Sequence, residues 1–160
     1  MAGGPSAIRR PDEDPFVSFQ FAVKIGDHPH ERVCGCSEAS GLVVETDVES
    51  IRVGGVNTHE IQLPGPSKFP SRLVLKRGLA EAALWSWYRD VMRGKVARKT
   101  VAVILQNYSG EEKWSWVFSK ACPVKWSGPD FRAGTAEVAF ESIELIHRGL
   151  DLNEKSTGRK

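Results

Sequence analysis

At 160 residues, with 41% hydrophobic and 26% charged side chains, the chain has the composition of one soluble globular domain and enough length to bury a hydrophobic core. Its longest apolar runs are strand-sized, far short of the roughly 20 residues that cross a bilayer, and Met1-Ala-Gly-Gly-Pro5 has no apolar signal core, so a cytoplasmic protein without membrane anchoring is expected. The formal charge of +2 comes from 22 basic and 20 acidic residues mixed along the chain, which gives no case for polyanion binding, and three cysteines (Cys34, Cys36, Cys122) point to reduced thiols rather than a disulfide framework.

Residues 1–15 carry Gly3-Gly4-Pro5, Arg9-Arg10-Pro11 and Asp12-Glu-Asp14-Pro15, the pattern of a flexible arm. From Phe16 the chain changes: Phe19, Phe21, Val23 and Ile25 alternate with Ser18, Gln20 and Lys24, the period-2 mark of a half-buried strand. Residues 26–32 break it, and Val33 to Ser40 read as a short second strand or an irregular edge. In the next strand Leu42, Val44, Thr46 and Val48 are expected on a buried face, with Glu45, Asp47 and Glu49 on an acidic wet one. Gly54-Gly55 ends it. With Pro64, Pro66 and Pro70 and three glycines, residues 54–70 read as a long extended loop, a length unusual inside a compact domain unless it reaches a partner.

Arg72 to Lys76 reads as a short strand, and Leu84, Trp87 or Tyr88, and Val91 recur at helical spacing, predicting a helix over about 80–93 that stops at Gly94. Thr100 to Gln106 and Lys113 to Lys120 flank Asn107-Tyr-Ser-Gly110 and should form a β-hairpin with Trp114, Trp116 and Phe118 on one face. In the last predicted strand, Glu137 to His147, the apolar phase shifts between Phe140 and Ile143, which a bulge near Glu141-Ser142 or burial of both faces would explain. Residues 151–160 read as a polar, frayed tail. Six or seven strands and one helix make an α+β domain, mainly antiparallel β, over residues 16–150.

Chemistry finds little footing. His28-x-His30 and Cys34-x-Cys36 are the right ligand types for zinc, but their spacing departs from common zinc folds, and a loop histidine pair with two small thiols explains the same letters. No local signature surrounds any cysteine to make it a nucleophile, and Glu141, Glu144, Glu45, Asp47 and Glu49 fit the wet faces of strands better than an acid/base pair. No phosphate-cradling glycine motif occurs, and Trp85, Trp87 and Tyr88 near Arg89, Arg93, Lys95, Arg98 and Lys99 fit a helix core and its capping charges better than a nucleic-acid surface. No cofactor and no direct nucleic-acid recognition are expected. A small metal- or nucleic-acid-binding β-barrel module is the alternative of a different class, and a thiol enzyme a weaker one.

In sequence order, the phenylalanine-rich first strand, Ser40-Gly-Leu42, Gly54-Gly55, Leu75-Lys-Arg-Gly78, Leu84-Trp85-x-Trp87, Trp116, Ala121-x-Pro123-Val-Lys-Trp126-x-Gly128-Pro129, and Glu141 through His147-x-Gly149-Leu150 give most of the chain a resemblance. It resembles the tail-tube (inner tube) proteins of contractile phage tails and extracellular contractile injection systems. The resemblance implies a β-barrel or sandwich with one flanking helix, no catalysis, and six-subunit rings stacked into a hollow tube within a contractile sheath. It implies further partners in sheath, baseplate or spike and tube-terminating proteins, with lumenal cargo, and a place in a tail or tail-like particle after assembly in the cytoplasm. A tube-initiator paralogue at the baseplate is an alternative within the same family. Inter-subunit contacts are expected at Gly54, Gly55, Asn57, His59, Pro64, Gly65, Pro66, Lys68, Phe69, Lys76 and Arg77, with Leu84, Trp87, Val91 and Trp116 anchoring helix and core.

Overall fold

Alternating apolar side chains commit the chain to strands whose inward faces need mutual cover, and the structure, a computed structural model, shows how that cover is arranged. It describes residues 20–27, 31–52, 54–55, 59–69, 71–78, 82–134 and 138–154. In chain order these form β1 (Phe21–Ile25), β2 (Arg32–Cys34), β3 (Glu38–Ser40), β4 (Glu45–Ile51), β5 (Ile61–Lys68), β6 (Leu73–Gly78), α1 (Ala83–Met92), β7 (Lys99–Gln106), β8 (Glu112–Ser127), β9 (Phe140–Ile146) and β10 (Gly149–Glu154). All the strand pairings are antiparallel.

The 16-residue β8 organises the body. Its first half pairs with β7 on one side and β10 on the other, and β7 carries β1 and β2 beyond it. Its second half pairs with β9, which carries β6 and β3. Strands β9 and β10 run along the same edge of β8: Cys122 faces Ile146 and Ser119 faces Gly149, with the Arg148 N–H donating to the Ser119 carbonyl at 2.9 Å between them. The strand changes sheets next to Lys120, at φ 53 the only non-glycine residue with positive φ among those described.

Both sheets supply the core. Val23, Val101, Val103 and Phe118 come from one; Leu73, Leu75, Ile143 and Leu145 come from the other. Burying each such side chain contributes roughly 1.5–3 kcal/mol. Helix α1 adds Leu84 and Trp87, both buried, while Tyr88 and Val91 are half-buried against the same cluster. Trp87 is held at both ends, its ring under the Lys99 ammonium at 4.9 Å and its Nε1–H donating to the Ala97 carbonyl at 2.9 Å. Trp85 packs on Trp126 of β8 with ring centroids 4.7 Å apart. Gly94, at φ +82, stops the helix where the spacing placed its end. Gly41 has a stricter role: at φ +92, a Cβ there would lie 1.9 Å from the Arg72 carbonyl oxygen.

Several expectations need correction. Residues 61–68, expected within an irregular loop, form β5 and pair with β4. Pro64 and Pro66 are tolerated because, among the described residues, β5 borders no strand but β4, so a missing N–H interrupts no second ladder. Of the expected buried face of the preceding strand only Leu42 packs against the core, since Val44, Thr46 and Val48 are exposed. In β9 neither a bulge nor two buried faces explains the phase shift. Its pairing with β6 runs unbroken from Phe140 to Leu145, Phe140 and Val138 lie exposed, and Glu141 takes the inward position beside Ile143 and Leu145. The tail expected to fray contributes β10 through Glu154, so the ordered body extends past residue 150. Phe16 and Phe19 of the predicted first strand, like residues 1–15 and 155–160, lie outside the described residues.

Candidate assembly site

The β4–β5 hairpin stands apart from the eight-stranded arrangement and pairs with no third strand among the described residues. Asp47 and Lys68 form an ion pair at 2.5 Å near its base, Arg52 and Glu60 another at 2.5 Å near its tip, and Thr46 and Ser67 hydroxyls meet at 3.4 Å. A register shift between Thr46 and Val48 bends the ribbon, and Gly65 lies against Asp47, where a Cβ would sit 3.3 Å from its Cβ. Opposed residues share a face, so Ile51, Ile61 and Leu63 line one side while Val48 and Pro64 line the other, and all five are exposed. An isolated two-stranded hairpin is marginal in water, and apolar groups on both faces call for a further surface to cover them.

Of the residues expected at subunit contacts, Gly54 and Gly55 form an exposed turn, with Gly55 at φ +91. His59 is exposed beside β5; Pro64, Gly65, Pro66 and Lys68 lie within it, and Phe69 follows it. Asn57 lies outside the described residues. Lys76 is exposed on β6 and paired with Glu38 at 2.8 Å. Arg77 must be removed from the contact set: it is 6% exposed and turned into the body. The period-2 geometry of β6 explains this, because Leu73, Leu75 and Arg77 share the inward face while Lys76 points out. Trp116 is half-buried against the core and stacked near Trp114 at 6.4 Å.

Candidate contact residues the sequence reading passed over are Val48, Ile51, Ile61 and Leu63. The run Ile61-Gln62-Leu63 alternates as a strand should, but Pro64-Gly65-Pro66 directly after it masked the signal.

The polar core is closed on itself. Arg77 Nε donates to Glu141 Oε1 at 2.6 Å and Trp126 Nε1 donates to Glu141 Oε2 at 2.8 Å, so both carboxylate oxygens are engaged. Glu144, three residues on, faces outward to Arg72 and Lys125 at 2.9 and 2.8 Å, and these two partners hold its carboxyl below the usual range, Lys125 first. The two acids therefore occupy opposite faces and cannot act as a pair. His28 and His30 lie outside the described residues, and among those described no group of three or more His, Cys, Asp or Glu is placed to hold a metal ion. Among the same residues no helix is long and apolar enough to cross a membrane.

Residues 17–151 match the model of the T4-like virus tail tube protein gp19 family. The chain belongs to that family. This tail-tube chain is accordingly a structural component of a phage tail or phage tail-like particle and not an enzyme. Among solved structures, it is similar to a chain in the cryo-EM structure of the anti-feeding prophage baseplate, with 27% identity over 88% of this chain and 97% of that one and a TM-score of 0.80. A chain of the anti-feeding prophage tube-terminating cap is 26% identical over 93% and 99%, with a TM-score of 0.78. The PVC sheath–tube complex in its extended state holds a chain of the same fold, 24% identical over 94% and 99%, with a TM-score of 0.79. No curated protein sequence gives a significant match.

Proposed function

We propose that this tail-tube chain assembles into six-subunit rings that stack into a hollow inner tube, with the β4–β5 hairpin laid against a neighbouring subunit. The observation that carries this reading is the hairpin itself. It exposes Val48, Ile51, Ile61 and Leu63 and pairs with no third strand, so a ring neighbour supplies the cover that the monomer lacks. Gly54 and Gly55 turn the arm, while Pro64 and Pro66 stiffen it by fixing φ. Lys68, Phe69, His59 and Lys76 border the same arm or the adjoining sheet and complete the proposed contact set.

The partners follow from the company kept by similar chains, which occur in a six-fold symmetrised baseplate, a sheath–tube complex and a tube-terminating cap. A surrounding sheath, a baseplate or spike below and a terminator above are the proposed neighbours, with cargo in the lumen and assembly in the cytoplasm. A tube-initiating ring at the baseplate is a second reading, supported by the likeness to the baseplate chain.

Leu63→Asp tests the arm. Placing a charge on its exposed apolar face should leave the thermal unfolding midpoint of the monomer unchanged and remove rings from the sedimentation profile. Rings that persist at wild-type abundance would exclude this hairpin face from the interface.

A further inference from the structure

Cys34 ends β2, the edge strand of one sheet, and Ser37, directly before β3, donates its N–H to the Lys76 carbonyl of the other sheet at 2.8 Å. Between them the chain turns a corner in three residues, Cys34-Gly35-Cys36. The Cys36 N–H donates to the Cys34 carbonyl at 3.0 Å, an i to i+2 bond that closes a γ-turn on Gly35. This turn brings both side chains to one side, with the Cys36 thiol donating to the Cys34 sulfur at 3.2 Å. The Arg77 Nη1 approaches the same sulfur at 3.9 Å. A disulfide needs its sulfurs at about 2.05 Å, so closing the pair takes a movement of about 1 Å. Cys34 belongs to the apolar core and Cys36 packs against it.

We propose that Cys34 and Cys36 form a reversible dithiol–disulfide site, with Cys34 the attacking thiolate and Cys36 the resolving thiol, that exchanges with small-molecule disulfides. Cys34 attacks one sulfur of glutathione disulfide; that S–S bond breaks, one glutathione leaves as thiolate and takes a proton from water, and Cys34 carries the other in a mixed disulfide. Cys36 then gives its proton to solvent and attacks the Cys34 sulfur, releasing the second glutathione. The protein dithiol loses two electrons and glutathione disulfide is reduced to two thiols.

The surroundings set the order of attack. The hydrogen bond from Cys36 draws the Cys34 thiol down to about 7, with burial opposing it and the Arg77 guanidinium assisting. The same hydrogen bond and burial push Cys36 upward. Cys34 therefore ionises ahead of Cys36, whose thiol is released to react once the Cys34 charge has been consumed in the mixed disulfide. Cys122 provides an internal control: at 5% exposure it is buried like Cys34 at 8%, but its thiol is directed at the Pro123 carbonyl at 3.8 Å rather than at a second sulfur, while Cys36, half-buried, leaves the pair its side towards solvent.

The test uses the full-length chain, reduced, freed of reductant and exposed to glutathione disulfide at neutral pH. Remaining thiols are then alkylated under denaturing conditions and the protein is digested with trypsin, which releases residues 33–52 as one peptide holding Cys34 and Cys36 and no other cysteine. The expected peptide is two hydrogens lighter and unalkylated, while Cys122 is alkylated. Cys36→Ser should stop at a glutathione mixed disulfide on Cys34, and Cys34→Ser should leave Cys36 alkylated. Recovery of the wild-type peptide with both cysteines alkylated overturns the proposal, as does a wild-type mixed disulfide that persists unresolved. If a variant loses its circular dichroism spectrum, the mass of the wild-type peptide decides alone.

Discussion

At the residue scale, one buried acid ties β9 to both of its neighbours, β6 through Arg77 and β8 through Trp126. Glu141 sits where the inward face of β9 would otherwise carry a hydrophobe, and Arg77 and Trp126 together occupy both of its oxygens. Truncating the acid removes the buried carboxylate that Arg77 and Trp126 share, so Glu141→Ala should lower the unfolding free energy by about 3–5 kcal/mol in urea titrations. A loss below about 1 kcal/mol would mean that water reaches Arg77. His147 makes a different prediction. Its ring lies between Phe69 and Phe118, with centroids at 5.1 and 4.9 Å, and since the Gly149 carbonyl can only accept, the Nδ1 atom 3.2 Å away carries the proton. Nε2 is buried and meets no hydrogen-bonding partner among the described residues, and burial holds the ring below its ordinary value of 6.5, with the bond to Gly149 acting the other way. Because the unfolded chain takes up the proton first, stability is full above about pH 6.5 and falls as pH drops from there towards the folded value. His147→Gln should show a smaller drop in unfolding midpoint between pH 7.5 and 5.5 than the wild type; equal drops would place the pH sensitivity elsewhere.

At the scale of elements, the sequence was legible wherever burial and alternation agreed. Val23 and Ile25, the Val101–Val103 run and the Trp116–Phe118 run announced β1, β7 and the first half of β8, and Leu84, Trp87 and Gly94 fixed the helix. Three elements hid for identifiable reasons. Strand β5 contains Pro64, Gly65 and Pro66, which break strands in a sheet interior but not in a two-stranded arm. Strand β10 is polar because it lies at a sheet edge beside β8, where Asp151 and Asn153 remain exposed. The second half of β8 begins beyond Lys120, whose positive φ no composition rule announces. That residue holds the bend by which one strand serves two sheets. Lys120→Val, placing a β-branched side chain at φ 53, should cost at least about 1 kcal/mol, whereas Lys120→Gly should be neutral or stabilise by up to about 1 kcal/mol. Urea titrations of the two variants read this directly, and equal stability would show that the bend relaxes on substitution. The proposed contact residues were read from the glycines and prolines of the arm, and Arg77 was placed among them although it shares the inward face of β6 with Leu73 and Leu75.

At the scale of the whole molecule, two sheets hinged on β8 share one core, and among the described residues the β4–β5 arm stands outside them with exposed apolar side chains on both of its faces. A single subunit therefore satisfies its core but not its surface, which is the condition expected of a building block rather than a finished protein. Family membership sets the class of structure, and the proposal is that the exposed arm holds one copy to the next. Electron microscopy of the purified chain, concentrated and mixed with its baseplate components as nucleus, is the most direct test. The account predicts six-fold rings in end view and hollow stacked tubes in side view, with density for the β4–β5 arm crossing onto an adjacent subunit. Rings whose arm folds back on its own subunit, or particles that stay monomeric at every concentration and with every nucleus, would contradict it.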